Sequence, residues 1–368
     1  MTVELAPHRD APPLRAEPVL ELRGLSVEYA TRNRTTRAVD GISLAIAPGE
    51  ILGLAGESGC GKSTVANAVM QILRPPARIV GGEILFDGEN LAGRSREELR
   101  KYRWRSVSMV FQSAMNSLNP VARVGDQFVD MMRAHERLSK HDALVRAGEL
   151  LELVGIDARR VRAYPHELSG GMRQRVIIAM ALALEPELVI MDEPTTALDV
   201  VVQREILQQV RDLQAELGFA VLFITHDLSL LLEMADKVAV MYAGRIVETA
   251  TSRELRRQPR HPYSYGLLNS FPTIHGPRRR MTGIPGSPPD LRAIPSGCAF
   301  HPRCPCAFAA CPTVLPRLLP STAETPEQMV ACHLYDPRLN GGERPPNNAE
   351  FAAKYEEKYE AMQQARKA

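Results

Sequence analysis

The sequence has no apolar run long enough to cross a lipid bilayer, no amino-terminal signal pattern and no strong excess of charge. The longest apolar run, residues 176–184, is about half of the roughly 18–20 residues that a membrane-spanning helix needs. The 45 basic and 43 acidic side chains leave a formal net charge of +2, which argues against a dedicated binder of polyanions. We therefore expect a soluble chain in the cytosol.

Internal repeats are also absent, and cysteine is unevenly distributed. Each motif discussed below occurs once in the chain. Cys60 stands alone, whereas five cysteines lie in one carboxy-terminal segment: Cys298, Cys304, Cys306, Cys311 and Cys332. In a reducing compartment such a group indicates a metal site rather than a framework of disulfides.

The chain of 368 residues is long enough for two domains, or for one large domain with an appendage. Residues 18–257 alternate short β-rich runs with helical patterns, which predicts an α/β fold with a mostly parallel sheet covered by helices. The predicted strands are residues 19–27, 42–46, 51–55, 84–86, 108–111, 188–191, 220–224 and 238–242. The predicted helices are residues 62–73, 124–134, 143–154, 171–184, 201–217 and 228–235.

Four further segments differ in composition from this core. Residues 113–184 are largely helical, so we expect a helical subdomain inserted into the α/β fold, whereas residues 1–17 form a flexible lead-in. Residues 258–336 are rich in proline, which breaks helices and central strands. A loop-rich domain of this size is expected to need a cross-link. Residues 337–368 are predicted to be a tail that ends in an exposed helix.

A phosphate-binding pattern follows the predicted strand 51–55. Its residues, Gly56-Glu57-Ser58-Gly59-Cys60-Gly61-Lys62-Ser63, fit G-x-x-x-x-G-K-[ST]. Glycines let the backbone curl so that successive N–H groups face phosphates at a helix N-terminus. Lys62 then adds a charge at the β- and γ-phosphates, and Ser63 offers its hydroxyl to Mg²⁺. The alternative is a glycine-rich turn with a chance lysine, which the flanking strand and helix disfavour.

Two carboxylates end the buried strand Leu188-Val-Ile-Met-Asp192-Glu193. Asp192 is placed to hold Mg²⁺ through water, and Glu193 to polarise an attacking water as a general base. Two acids at a strand end are equally compatible with a solvated turn. The phosphate-binding pattern upstream favours the catalytic interpretation.

Between these motifs, Leu168-Ser169-Gly170-Gly171-Met172-Arg173-Gln174 resembles the signature motif of ATP-binding-cassette (ABC) ATPases. Gln112 resembles the Q-loop glutamine, Ala197-Leu198-Asp199 the D-loop, and His226 the switch histidine of that family. Tyr29 resembles the aromatic residue that stacks on adenine. The resemblance spans about residues 19–257. It implies an ABC-type P-loop nucleotide-binding domain with a helical subdomain.

The resemblance also implies a role for each motif residue. The residues that would contact ATP in this chain's own site are Tyr29, Gly56, Ser58, Gly59, Cys60, Gly61, Lys62, Ser63 and Thr64. Mg²⁺ would be held through Ser63, Gln112 and Asp192, while Glu193, His226 and Gln112 would serve catalysis. The signature residues Ser169, Gly170 and Gly171 would face the ATP of a second cassette, with Asp199 in the D-loop beside them.

The carboxy-terminal part resembles a narrower group. His261-Pro262-Tyr263 is similar to the HPY motif of oligopeptide/dipeptide-type importer ATPases. The stretches 283–290 and 295–305 resemble the same group. This resemblance covers about residues 258–336 and implies a Pro/Cys-rich carboxy-terminal domain of the oligopeptide-transporter type.

The cysteine spacing, C-x5-C-x-C-x4-C-x20-C, contains no C-x2-C pair. From the residues alone, zinc and an iron–sulfur cluster are equally supported, free thiols are a third alternative, and His301 and His333 leave a mixed zinc site open. The importer resemblance instead implies a [4Fe-4S] cluster on Cys298, Cys304, Cys311 and Cys332. Cys306 would then be an extra thiol.

For the whole protein, the resemblance implies an ATP-hydrolysing, energy-coupling subunit of an importer. The expected solute is peptide, and nickel chelates or glutathione are alternatives. The expected partners are a second, homologous but distinct ABC ATPase, two transmembrane permease subunits and, indirectly, an extracytoplasmic solute-binding protein. The expected location is the cytoplasmic face of the inner membrane. An ABC ATPase acting on nucleic acid is the alternative from another class, but one cassette without sustained heptads disfavours it, and we expect no nucleic-acid partner.

Overall fold

The computed structural model describes residues 17–31, 34–112, 117–196, 198–270, 283–322 and 325–367. The predicted lead-in up to residue 16 and Ala197 of the predicted D-loop lie outside these residues. The backbone divides into two compact units. The first unit holds the described residues of Met1–Glu21, Leu44–Glu50 and Ile84–Leu222, and the second those of Leu22–Ser43, Ile51–Glu83 and Phe223–Ala368.

The elements are numbered along the chain. The strands are β1 Leu20–Thr31, β2 Arg34–Ile46, β3 Ile51–Ala55, β4 Ala77–Phe86, β5 Glu89–Asn90, β6 Val107–Val110, β7 Leu188–Asp192, β8 Ala220–Thr225, β9 Lys237–Tyr242, β10 Arg245–Thr251, β11 Leu319–Pro320 and β12 Met329–Val330. The helices are α1 Lys62–Val69, α2 Arg96–Arg105, α3 Val124–His135, α4 Lys140–Leu153, α5 Gly170–Leu182, α6 Val200–Leu217, α7 Leu228–Met234, α8 Ser252–Arg257, α9 Pro262–Leu268 and α10 Asn348–Lys367. Among the described residues, short 3₁₀ helices lie at Ala158–Arg162, Pro165–Glu167 and His333–Tyr335.

The first unit is mainly helical and contains the parallel strand pair β6 and β7. Strand β6 pairs in parallel with β7, from Val107 opposite Leu188 to Val110 opposite Met191, and both strands are fully buried. Helix α3 packs on α4, α4 on α5, and α5 on both β6 and α6. The described part of residues 113–184 contains helices and no strand, which agrees with the predicted helical subdomain.

The second unit contains the sheet that carries the glycine loop. Strand β3 pairs in parallel with β9, β9 forms an antiparallel hairpin with β10, and β10 pairs antiparallel with β12. Helix α7 packs against β3, close enough that a Cβ on Gly53 would lie 2.8 Å from a methyl carbon of Leu231. A β-carbon there would force the Leu231 side chain of α7 to shift away from the strand that leads into the glycine loop.

The predicted core elements are confirmed, with shifts of a few residues at most helix ends. The differences lie where local signals are weak. Strand β2 begins at Arg34 rather than at residue 42, and β4 begins at Ala77 rather than at residue 84. Helix α2 and strand β10 were not predicted. Helix α2 begins at a capping box, in which Ser95 accepts the Glu98 amide and the Glu98 carboxylate accepts the Ser95 amide.

The carboxy-terminal helix corrects one prediction. We expected an exposed helical tail, but the side chains of Phe351 and Tyr355 on α10 are fully buried against α9. The rings of both residues pack on Tyr265, at centroid distances of 5.4 and 5.6 Å. Their spacing of four residues puts them on one helical face, so the helix is amphipathic in a way that composition alone hides. Among the described residues, no helix is long and apolar enough to cross a membrane.

Candidate nucleotide-binding site

The glycine loop links the fully buried strand β3 to helix α1 in the second unit. Gly56 has a φ of 154° and Gly61 a φ of 111°, backbone conformations that other residues rarely adopt. A Cβ on Gly56 would lie 2.3 Å from the Met241 carbonyl oxygen, and one on Gly61 would lie 2.3 Å from the Ala38 carbonyl oxygen. Both glycines are therefore required by the curl of the loop itself.

Lys62 lies inside the curve of this loop. Its ammonium group donates to the carbonyl oxygens of Gly56 at 2.7 Å and Glu57 at 3.0 Å, and the side chain is buried. Ser63, the next residue of α1, is exposed. Cys60 is buried, and burial raises the pKa of its thiol although Lys62 lowers it. A thiol that stays protonated is a poor nucleophile, so Cys60 serves to fill space within the loop.

Tyr29 belongs to strand β1 and lies beside the start of α1. Its hydroxyl is 3.2 Å from the Thr64 hydroxyl. The structure thus brings together two residues that we expected at the nucleotide but did not expect to touch each other. The ring of Tyr29 is only half-buried, which leaves part of it accessible.

His226 directly follows strand β8 and is exposed. The next residue, Asp227, caps helix α7: its carboxylate accepts the amides of Ser229 at 2.9 Å and Leu230 at 3.3 Å. Strand β8 fixes the backbone before His226, and the Asp227 cap of helix α7 fixes the backbone after it. The imidazole is therefore displayed at a defined point of the chain.

In the first unit, Glu193 follows the buried Asp192 at the end of β7. The Gln112 side-chain amide donates to the Glu193 carboxylate at 3.0 Å, and the Thr196 hydroxyl donates to the same oxygen at 3.2 Å. Glu193 has a φ of 48°, in the left-handed region that non-glycine residues seldom occupy. A strained backbone and two donors hold this carboxylate in one orientation.

The signature and D-loop residues begin two neighbouring helices of the first unit. The Ser169 hydroxyl accepts the Met172 amide at 3.2 Å and so caps α5. The Asp199 carboxylate accepts the amides of Val201 and Val202 at 3.1 and 3.0 Å and caps α6. Gly171 packs against α6, where a Cβ would lie 2.8 Å from a methyl carbon of Val202. Each of these residues thus has a local structural role.

The five carboxy-terminal cysteines lie in the second unit, and all six cysteines of the chain are free thiols. The Cys298 amide donates to the Cys311 carbonyl oxygen at 2.8 Å, and the Cys306 amide to the Cys304 sulfur at 3.3 Å. Burial raises the pKa of Cys298 to about 11, whereas a hydrogen bond from Cys304 lowers the pKa of Cys306. Of the five thiols in this segment, Cys306, which we expected to be the extra thiol, is the one whose pKa is lowered.

The fit of these thiols to a metal is incomplete. In the part of the chain that the structure describes, no group of three or more His, Cys, Asp or Glu side chains is arranged to hold a metal ion. The two nearby histidines have other partners: one ring nitrogen of His301 lies 2.9 Å from the Cys298 carbonyl oxygen, and one of His333 lies 2.8 Å from the Val314 carbonyl oxygen.

Sequence reasoning missed two residues that contact the glycine loop. The Tyr263 hydroxyl accepts the Glu57 amide at 2.8 Å, and the Arg303 guanidinium makes an ion pair with the Glu57 carboxylate at 2.6 Å. Tyr263 was visible as part of the HPY motif, but nothing in that motif indicates the glycine loop. For Arg303 the sequence carries no signal, since 246 residues separate it from Glu57.

Comparison with known proteins defines the class first. The profile of the ABC transporter family matches residues 39–196. A solved dimeric structure of the ATP-binding cassette MJ0796 with ADP and phosphate is 27% identical, with a TM-score of 0.57 over 64% of this chain and 99% of that chain. The cassette cbiO1 from Clostridium perfringens is 30% identical, with a TM-score of 0.57 over 65% of this chain and 91% of that one. These matches define an ATP-hydrolysing ATP-binding cassette.

The family follows from the full chain. The profile of the oligopeptide/dipeptide transporter C-terminal region matches residues 247–311. The oligopeptide transport ATP-binding protein OppD of Bacillus subtilis is 47% identical over 78% of this chain and 81% of that protein. The dipeptide transport ATP-binding protein DppD of the same organism is 42% identical over 88% and 96%, and OppD of Escherichia coli 44% over 82% and 90%. The chain belongs to this family of ABC transporter ATPases, and the predicted family, cassette fold and enzyme class are confirmed.

Proposed function

We propose that this chain couples ATP hydrolysis to the import of peptides. The observation that carries the proposal is the union, in one chain, of an ABC cassette at residues 39–196 with an oligopeptide/dipeptide transporter C-terminal region at residues 247–311. The relatives named as oligopeptide and dipeptide transport proteins match both parts together, since they cover 78–88% of this chain.

The proposal includes an assembly. Two transmembrane permease subunits carry the solute, and a second, homologous ABC ATPase pairs with this chain. A solute-binding protein on the other side of the membrane delivers the peptide. This chain then lies at the cytoplasmic face of the inner membrane, attached through the permeases. The absence of a membrane-spanning helix from the described residues is compatible with such an attachment.

Solute and partners are tested separately. Deletion of this chain in its host should abolish growth on peptides as the nitrogen source, and wild-type protein but not Glu193→Gln should restore it. Loss of nickel-chelate or glutathione uptake with intact peptide uptake would contradict the choice of solute.

Affinity purification of the tagged chain from detergent-solubilised membranes should recover two permeases and a second ATPase. Recovery of the chain without any membrane subunit would contradict the assembly.

For ATP binding, we propose that the glycine loop wraps the phosphates. The contacting residues would be Gly56, Ser58, Gly59, Cys60, Gly61, Lys62, Ser63 and Thr64. The Lys62 ammonium, held within the curve of the loop by two carbonyl oxygens, supplies positive charge to the β- and γ-phosphates. Ser63 is exposed and would bind Mg²⁺, and the accessible ring of Tyr29 would stack on adenine.

For hydrolysis, we propose Glu193 as the general base. A carboxylate that is bound by Gln112 and Thr196 cannot rotate freely, which suits a group that must orient a water. Asp192 and Gln112 would complete the Mg²⁺ ligands. Since Gln112 also contacts Glu193, one glutamine would link the metal ligands to the base. His226 would contact the γ-phosphate.

The signature residues would act on a second ATP. The N-terminus of α5 is formed by the exposed Ser169 with Gly170 and Gly171, and helix N-termini attract phosphates. We propose that this end of α5, with Asp199 at the adjacent start of α6, meets the ATP that the partner cassette binds. The exposed side chains of Val200 and Val201 beside Asp199, at 66% and 67%, are compatible with an interface there.

We also propose that Cys298, Cys304, Cys311 and Cys332 bind a [4Fe-4S] cluster, with Zn²⁺ as the alternative. In support, all four are free thiols. Burial raises the pKa of Cys298 and of Cys332, and the nearby Cys311 raises both further. Against it, no ready metal-holding group occurs among the described residues. Phosphoryl transfer requires no electron carrier, so the cluster would be structural and no catalytic step depends on it.

Metal analysis of anaerobically purified protein tests the cluster. We expect iron and acid-labile sulfide at about four each per chain. Cys298→Ser should lose both, whereas Cys306→Ser, the matched control, should keep both. If zinc is found in place of iron, the [4Fe-4S] proposal is wrong and the alternative, Zn²⁺ bound by these cysteines, is supported. Folded protein without either metal would contradict the proposal.

A further inference from the structure

The residue after the first glycine of the loop is held by the carboxy-terminal segment. The two terminal nitrogens of Arg303 donate to the two carboxylate oxygens of Glu57, at 2.6 and 2.9 Å. This bidentate geometry is the strongest form of an arginine–carboxylate pair. The Tyr263 hydroxyl accepts the Glu57 amide at 2.8 Å. The Glu57 carbonyl oxygen accepts from Lys62, so every polar group of Glu57 has a partner.

Arg303 is itself fixed on several sides. Its Nε donates to the Pro285 carbonyl oxygen at 2.8 Å, and a terminal nitrogen lies 3.3 Å from the Tyr242 hydroxyl. The guanidinium lies 5.9 Å from the ring centroids of both Tyr242 and Phe300. Only 7% of the Arg303 side chain is exposed, against 22% of that of Glu57. The ion pair is therefore poorly screened by solvent.

The surroundings of the pair form one packed cluster. The rings of Tyr242, Tyr263 and Phe300 contact one another at centroid distances of 4.6, 5.2 and 5.4 Å. Helix α10 also holds the backbone around Arg303, because the Lys358 ammonium donates to the carbonyl oxygens of Pro302 and Cys304 on either side of it. The position of Arg303 thus depends on β9, α9, α10 and the loop that bears Cys298 and Cys304.

We propose that Arg303 is a positioning residue for ATP. It acts through Glu57 in two ways. It neutralises a carboxylate that would otherwise stand, unpaired, in the loop that receives the anionic phosphates, where like charge repels. Together with Tyr263, it fixes the backbone of Glu57. This also fixes the position of the Glu57 carbonyl oxygen, which accepts a hydrogen bond from the Lys62 ammonium. The carboxy-terminal segment therefore sets the affinity of the glycine loop for ATP.

A charge-removal cycle tests this inference on the full-length chain, with the dissociation constant of MgATP as the readout. Arg303→Gln leaves the Glu57 carboxylate unpaired, and we expect roughly tenfold weaker binding, within the range for coupled neighbours in one ion-pair network. The double variant Glu57→Gln/Arg303→Gln removes the unpaired charge, so it should recover most of the lost affinity. Arg292→Gln, which removes an exposed positive charge from the same segment, should bind like the wild type.

The cycle separates positioning from general stabilisation. A purely structural role predicts that the double variant binds as weakly as Arg303→Gln, and that result would overturn the proposal. Wild-type affinity in a folded Arg303→Gln chain would overturn it as well. Should Arg303→Gln fail to fold, Tyr263→Phe decides, because it keeps the ring and loses only the acceptor for the Glu57 amide. In the assembled transporter it should raise KM for ATP several-fold at nearly constant kcat; an unchanged KM would refute the inference.

Discussion

Glu193 stands at the end of β7, with its carboxylate bound by Gln112 and Thr196. If it is the general base, Glu193→Gln will still bind ATP but will lose steady-state hydrolysis by about 10²–10⁴-fold, the usual cost of removing a positioned base. ATP turnover should be measured in the assembled transporter, beside nucleotide binding. The matched control is Glu216→Gln on the exposed side of α6, which should hydrolyse ATP like the wild type. Turnover near the wild-type rate in Glu193→Gln would remove Glu193 from the proposed role.

At the same scale, the sequence identifies residues better than it identifies their contacts. The glycines and Lys62 can be predicted because phosphate binding restricts the residue types and their spacing to a short stretch of chain. The Gln112–Glu193 hydrogen bond joins residues 81 apart, and the Arg303–Glu57 pair joins residues 246 apart. Neither contact leaves a local pattern, because each depends on how distant elements pack.

The start of helix α9 is predicted to be sensitive to acid. His261 caps this helix by accepting the Tyr263 amide through Nδ1, at 3.0 Å, which requires a neutral ring. Burial lowers the pKa of His261 from 6.5 to about 3. The unfolded chain takes up the proton first, so this stabilisation is complete above pH 6.5. It is lost as the pH falls toward 3, by at most about 1.4 kcal/mol per pH unit.

The pH dependence of urea unfolding between pH 7.5 and 5 measures this effect. His261→Asn keeps a capping side chain that does not titrate, so its free energy of unfolding should fall less steeply with acid than that of the wild type. His141→Asn, on the exposed side of α4, is the control and should keep the wild-type slope. Equal slopes in all three proteins would show that His261 does not titrate as the structure requires.

Helix α10 provides a second test at the level of elements. Tyr355 is fully buried, and its hydroxyl donates to the Pro262 carbonyl oxygen at 2.7 Å. Tyr355→Ala should lower the free energy of unfolding by about 3–5 kcal/mol, as expected for a large buried ring. Glu357→Ala, on the exposed side of the same helix, should change it little. A loss below about 1 kcal/mol in Tyr355→Ala would mean that α10 does not pack as described.

Elements with a strong local sequence pattern were predicted well, and those stabilised by distant partners were not. Strands β3, β7 and β8 are continuous apolar runs because they are buried on both faces, which makes them easy to recognise. A helix at the end of the chain was predicted but judged exposed, because the buried Phe351 and Tyr355 stand among charged residues and give a weak pattern. Its buried face is explained by α9, which sequence reasoning did not predict.

For the whole molecule, the order of the motifs predicts the cassette fold. Few folds have a phosphate-binding loop, a signature helix and a pair of carboxylates at a strand end in this order along the chain. The relation of the carboxy-terminal segment to that cassette was not predicted. Composition marks a change near residue 258, yet the structure places the glycine loop and Arg303 in the same compact unit. A change in proline content reports local backbone preference, and it carries no information on what the segment packs against.

Reconstituted transport tests the central claim most directly. The chain, its second ATPase and the two permeases would be placed in proteoliposomes with the solute-binding protein, and uptake of a labelled peptide would be followed with and without MgATP. We predict uptake that requires MgATP, that is abolished by Glu193→Gln in this chain, and that is accompanied by peptide-stimulated ATP hydrolysis. Peptide uptake that continues unchanged with Glu193→Gln, or ATP-driven uptake of another solute and not of peptide, would contradict the account.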